Sequence, residues 1–294
     1  MKQYLAHLAL LAVGLIYALN YFIAKDLFAV VPPLGVVAIR SIAALVFFWL
    51  IQLLWIREKI QSRKDYLRLF ICGMLGVALN QIFFFSGLDR TLAVNASVLM
   101  TTTPVFVFFV GIVMKVEQLT AKKILGLGLA GVGAVLLILG GRELTFNQDT
   151  VIGDLMVIFN ALVYGLYLVL VRPLVQRYHP MTIMVWVFTF GAMLMIPLGL
   201  PSLLPLDWAS LPQPAVWGIV YIVLFTTIGA YSLNAIALKK VPSSTAGIYI
   251  YLQPVLVSVL AFFLLEDGVS LEELTFIAMV LIGVYLVSYK KSPD

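Results

Sequence analysis

Charge is what this chain has least of. Asp, Glu, Lys and Arg make up 11% of its 294 residues, against 63% hydrophobic, and the mean hydropathy is +1.07. A soluble domain of this length carries about a quarter charged residues, so a water-exposed globule is excluded and a bilayer accounts better for the excess. Cysteine is almost absent too. Cys72 stands alone inside an apolar run, which rules out an intramolecular disulfide and a thiolate metal centre. No Asp or Glu falls in the middle of an apolar run; Glu117 ends one, and Asp149, Asp154, Glu266, Asp267, Glu272 and Glu273 fall in connecting loops. A proton relay built on buried carboxylates is therefore not expected, and His7 and His179, near run ends, are poorly placed to replace one. That favours facilitated movement over gradient coupling. There is no zinc-ligand cluster, nucleophile elbow or phosphate loop. Neither an enzyme nor an ATP-driven pump is indicated, and no cofactor or metal is implied.

Two formal motif matches carry nothing. Gly126-x-Gly128-x-x-Gly131 fits a dinucleotide fingerprint but lies inside an apolar run with no strand before it. Small residues allowing close helix contact are the physical reading. Asn95-Ala-Ser97 fits a glycosylation acceptor but opens a span.

What is present is a series of apolar runs, at about 5–24, 34–56, 66–88, 92–114, 121–140, 151–171, 181–200, 214–238, 242–264 and 271–289. Each has the roughly 20 residues a spanning helix needs, and only helices satisfy the backbone in lipid at that length. The first run is too long for a signal peptide and no small-x-small cleavage site follows it, so it reads as a retained span. The basic residues give an independent count. With the N-terminus inside, the inner segments hold Lys2; Arg57, Lys59, Arg63, Lys64, Arg68; Lys115, Lys122, Lys123; Arg172, Arg177; Lys239, Lys240; Lys290 and Lys291. Only Lys25, Arg90 and Arg142 fall outside, with Arg40 inside a span. That bias fits ten helices with both termini cytoplasmic in the inner (plasma) membrane. It also makes the net charge of +5 a topology signal rather than a nucleic-acid footprint. Connecting loops this short leave little surface for an obligate protein partner; the partners implied are the bilayer and a small-molecule substrate.

The chain also repeats itself. A shift of 150 takes Leu88 to Leu238, Arg90 to Lys240, Ala96 to Ala246, Pro104 to Pro254 and Gly133 to Gly283. A shift of 147 takes Tyr17 to Tyr164, Lys25 to Arg172 and Pro33 to Pro180. With five helices per copy, residues 1–143 and 144–294, the second copy must enter the membrane from the opposite side. The expected fold is thus an all-α integral membrane protein of ten helices in two inverted five-helix repeats, an arrangement of transporters working by alternating access.

Polar side chains within the runs are the candidate cavity lining: Tyr17, Asn20, Gln81, Asn160, Tyr164, Tyr231, Tyr251 and Gln253. Tyr17 and Asn20 share a face at i, i+3, Asn160 and Tyr164 at i, i+4, and Tyr231 falls opposite Gln81 under the 150-residue shift. Amides and phenols suit a polar metabolite; each could equally be interhelical glue. Arg40 is the one formal charge well inside a span. It reads either as a clamp for a substrate carboxylate or as a structural anchor. Pro104 and Pro254 remove mid-span donors and free the carbonyls of Met100 and Ile250, as hinges or as packing bends that threonines such as Thr101, Thr102 and Thr103 re-satisfy.

Several segments together resemble the drug/metabolite transporter superfamily, and within it the EamA-type transporters. They are GLIYALNYFIAK in the first run, PLGVVAIRSIAALVF around Arg40, GLDRTLAVNASVLMTTTPVFVFF with its counterpart ALKKVPSSTAGIYIYLQPVLVSV, and the Glu117-Gln-Leu-Thr entry to the fifth run. Tyr17 stands where that family often has tryptophan. The resemblance implies non-ATP export of small metabolites, amino acids being the commonest class, through a central cavity. Sugars, nucleosides or drugs are the alternative cargo, and a non-saturating channel the alternative mechanism.

Overall fold

A computed structural model of the protein describes residues 3–28, 30–88, 90–91, 93–118, 120–139, 150–265 and 271–288. Every regular element among them is helical: α1 (Gln3–Phe28), α2 (Pro33–Ile56), α3 (Arg63–Leu88), α4 (Asn95–Val113), α5 (Ala121–Leu139), α6 (Val151–Arg177), α7 (Pro180–Leu203) and α8 (Gln213–Leu238). The short α9 (Ser243–Ile248) passes through one tight turn, Tyr249–Tyr251, into α10 (Leu252–Leu265), and α11 (Leu271–Ser288) follows. Eight of these, α2 to α8 and α11, are long and apolar enough to cross a membrane; in α1 the apolar stretch is Tyr4–Asn20. Large apolar side chains such as Trp55, Leu125 and Trp217 point outward, which suits a multi-pass protein whose surroundings are hydrocarbon.

Local chemistry sets the helix ends. Pro33 and Pro180 occupy first turns, where no backbone donor is required. The Ser62 hydroxyl accepts the Lys64 N–H at 3.2 Å and opens α3. Helix α4 is interrupted just before Pro104, where the Thr101 and Thr102 hydroxyls donate to the carbonyls of Val98 and Leu99, both at 2.6 Å. Thr101 and Thr102 thus serve their own i−3 carbonyls, while Thr103, whose i−3 carbonyl is that of Met100, has a bare hydroxyl among the described residues. The counterpart interruption, Tyr249–Tyr251, precedes Pro254. Helices α3 and α8 each contain a wide π-helical turn, Met74–Leu79 and Ile222–Gly229. Shifted by 150, the first falls wholly within the second.

The chain divides into two compact units. The first comprises Met1–Phe85 and Leu170–Lys240, the second Ser86–Val169 and Val241–Asp294. In the first, α7 packs along α2 and α3. A Cβ on Gly73 would stand 2.7 Å from the Val187 carbonyl oxygen, and one on Gly191 2.5 Å from Cβ of Val77, so only glycine permits this approach. In the second, α5 and α11 form the longest contact. Gly126 lies against the Gly283 carbonyl and Gly133 against that of Phe276, with Cβ clearances of 2.8 and 2.9 Å. Positions 126 and 133 precede 276 and 283 by 150, so the two contacts exchange under the repeat and the two helices run antiparallel. Of the glycines in the fingerprint-like run, Gly126 and Gly131 meet neighbours, whereas a Cβ on Gly128 meets nothing within 4 Å.

The Gly283→Leu variant is expected to lose about 1–3 kcal/mol through overpacking against backbone, read as a lower melting temperature of the detergent-solubilised protein. Gly128→Leu, facing open space, is expected to leave it unchanged or higher.

Candidate functional site

The first unit buries a polar cluster in an otherwise apolar interior. Arg40, two turns into α2, is 9% exposed, and its Nε donates to the Thr227 hydroxyl on α8 at 2.8 Å. Thr227 in turn donates to the Ile222 carbonyl at 2.8 Å, an oxygen also used by Thr226 at 2.7 Å. That bond lies within the π-helical turn of α8, so the irregular backbone and the arginine belong to one network. Among the described residues no carboxylate pairs with Arg40 and no further acceptor meets its guanidinium. Placing an arginine at depth costs about 2.5–3.5 kcal/mol on insertion scales, and here nothing described offsets its charge.

Three of the sequence candidates, Tyr17, Tyr231 and Gln81, gather near it. Tyr17 and Tyr231 lie within electrostatic reach of Arg40. Tyr231 is 7% exposed; its ring meets Phe188 edge-on at 5.0 Å and its hydroxyl donates to the Gly76 carbonyl at 3.0 Å, inside the π-helical turn of α3. The Gln81 side chain sits beside that hydroxyl, yet neither of its buried amide atoms reaches hydrogen-bond geometry with a described residue. Asn20, one turn from Tyr17, likewise has a bare buried Oδ1, and Ser41 a bare Oγ. Buried polar atoms are nearly always satisfied, and leaving one bare costs about 1–3 kcal/mol. Such bare buried atoms are open to hydrogen bonds from a polar guest.

The remaining candidates fall in the second unit. Asn160 is buried, and Tyr164 stacks on Tyr167 at 5.9 Å. Tyr251 is 1% exposed and packs among Ala130, Ala134, Ile248 and Val280, its hydroxyl against Gly131. Gln253 and Pro254 are half-buried and Pro104 is buried. Glu117 is tied down on both oxygens: Lys123 Nζ donates to Oε2 at 2.7 Å and the Ser244 hydroxyl to Oε1 at 2.6 Å. Asp154 corrects the sequence reading. Expected in a loop, it lies in the first turn of α6 and is 5% exposed. Sequence reasoning also missed Ser41 and Thr227; the paired Thr226-Thr227 in an apolar run was the available signal.

The model of the EamA-like transporter family matches this chain twice, over residues 4–139 and 151–289. The chain belongs to the EamA-like transporter family. Its relatives are named as transporters or exporters, at low identity. An uncharacterized transporter of Archaeoglobus fulgidus is 27% identical over 288 residues, covering 97% of this chain and 98% of that one. The YetK uncharacterized transporter of Bacillus subtilis is 25% identical over 299 residues, covering 100% of this chain and 90% of that one. A probable terminal-alkyne amino-acid exporter of Streptantibioticus cattleyicolor is 28% identical over 227 residues, 76% and 74% of the two chains. A crystal structure superposes with a TM-score of 0.79 at 18% identity, covering 98% of both chains, and supports the fold. This EamA-like protein is thus a membrane transporter by family, not an enzyme.

If Arg40 is kept for its guest, it burdens the empty protein. Arg40→Met is then expected to raise the melting temperature in detergent, since a buried charge replaced by an apolar isostere is often neutral or stabilising. Thr227→Val, which strips the described acceptor from the guanidinium, is expected to lower stability by about 1–3 kcal/mol. A structural anchor would give a fall for both.

Proposed function

We propose that this EamA-like protein is a secondary transporter that moves small carboxylate-bearing metabolites, amino acids above all, outward by alternating access. The observation that carries this reading is Arg40: a buried guanidinium with no acidic partner among the described residues, within electrostatic reach of the Tyr17 and Tyr231 phenols. A cargo carboxylate supplies the missing negative charge and fits the guanidinium fork. The bare Oδ1 of Asn20 and Oε1 of Gln81 are acceptors suited to a cargo ammonium. The amino-acid exporter among the relatives points the same way.

The machinery follows from the duplication. Residues 1–143 and 144–294 form two inverted five-helix halves, with α9 and α10 one span broken at Tyr249–Tyr251 and α1 a tenth. The exchange of the 126–283 and 133–276 contacts under the 150-residue shift supports the inverted relation. Both termini are cytoplasmic by the placement of lysine and arginine, in the inner (plasma) membrane. The interruptions before Pro104 and Pro254 are the flexing points, and Asn160, Tyr164, Tyr251 and Gln253 are the second unit's candidates for lining.

Uptake of radiolabelled amino acids into liposomes holding the purified protein tests this. Saturable uptake is expected for some of them, with Arg40→Ala weakening it roughly 10- to 150-fold, the worth of a charge-assisted hydrogen bond of about 1.5–3 kcal/mol. Saturable uptake unaffected by Arg40→Ala removes the clamp. Failure with every amino acid removes the cargo assignment, and flux that never saturates removes the carrier mechanism.

A further inference from the structure

In the second unit, Gly87, Arg90, Thr91 and Asn95 lie against the start of α6. The approach is close: a Cβ on Gly153 would stand 2.8 Å from the Gly87 carbonyl oxygen and 2.7 Å from that of Arg90. Only glycine fits, and the two carbonyls are thereby brought beside the residue preceding Asp154. The Asp154 Oδ1 accepts from the Thr91 hydroxyl at 2.5 Å and from the Asn95 amide at 3.4 Å. Its Oδ2 is buried and has no partner, and no lysine or arginine pairs with Asp154 among the described residues.

A carboxylate 95% removed from solvent, with one oxygen bare and no counter-charge, is a costly object. The two hydrogen bonds both go to Oδ1 and leave Oδ2 unserved. The oxygens described at this spot are the carboxylate's own and the Thr91 hydroxyl. Hard oxygen donors around one negative charge are the chemistry of a small cation. The nearby charged residues do not compete. Arg90 is exposed, Asp89 lies outside the described residues, and the other charges of α6, Arg172 and Arg177, are 18 and 23 residues on, about 27–35 Å along the helix.

We infer that Asp154, held by Thr91 and Asn95, is a binding site for one small monovalent cation, a proton or Na+, that couples transport to an ion gradient. The coupling rests on the transporter reading above; the binding does not. The inference also reverses the expectation of facilitated movement, whose premise was that no acid is buried. Asp154→Asn keeps the shape and mimics the neutralised state.

The test uses the full chain in detergent, with choline replacing Na+ at constant ionic strength, and infrared difference spectra across pH. A Na+ site raises the melting temperature of the wild type by about 2–4 °C or more and leaves Asp154→Asn unmoved. A proton site gives a carboxylic-acid carbonyl band that appears on acidification, is insensitive to Na+, and is missing from Asp154→Asn. Absence of both responses overturns the proposal and leaves Asp154 as a tether for Thr91 and Asn95. In liposomes, the imposed gradient of the identified ion should stimulate wild-type uptake about 5- to 150-fold and Asp154→Asn not at all. Stimulation that persists in Asp154→Asn overturns the coupling. Cation binding without any transport sinks the transporter reading and leaves the site standing.

Discussion

Hydrocarbon cannot solvate a charge or an open backbone group, and the rest of this structure depends on that constraint. It makes the described regular elements helices. It gives the Thr101 and Thr102 hydroxyls to carbonyls at the interruption of α4, and both Thr226 and Thr227 to Ile222 in α8. It also removes hydrophobic attraction as a reason for helices to associate, so that close contact falls to small residues such as Gly73, Gly126 and Gly283. Against so strict a background, the few polar groups left bare stand out as places where the protein gives up stability.

The duplication sharpens the point. Under the repeat, Arg40 matches position 187 and Thr227 matches position 77. Those positions hold Val187 in the second copy and Val77 in the first, both fully buried where α7 packs on α3. The matching positions are thus apolar in one place and polar in the other. The apolar version shows that this kind of helix crossing needs no guanidinium to hold it. Arg40 is an addition to a packing solution that already works, and that argues for a role beyond packing. The π-helical turns on α3 and α8 sit at matching positions, so the irregular backbone belongs to both copies while the charge belongs to one.

Much of this was legible in the chain itself. Eight of the expected spans appear as helices long enough to cross a membrane, because length and hydropathy alone decide that. The family was readable because the Arg40 segment and the paired proline segments are kept as contiguous strings. Tyr17, Arg40, Gln81 and Tyr231 could be named as candidates since a polar side chain in an apolar run is conspicuous. Their gathering was not readable, because it depends on how α1, α2, α3 and α8 rotate about their axes. Asp154 was misplaced for a related reason. The run starts at 151, but an acid so close to its start reads as a loop residue, whereas the first turn of the helix buries it.

The central claim is that Arg40 awaits a carboxylate, and ligand chemistry tests it more directly than any variant. An amino acid found to stabilise the purified protein would be compared with its own amide and its decarboxylated amine in the same thermal-shift titration. The account predicts that stabilisation is lost with both, though they keep the side chain and the ammonium. Equal stabilisation by the amide or the amine would contradict it, and Arg40 would then hold the protein rather than its cargo.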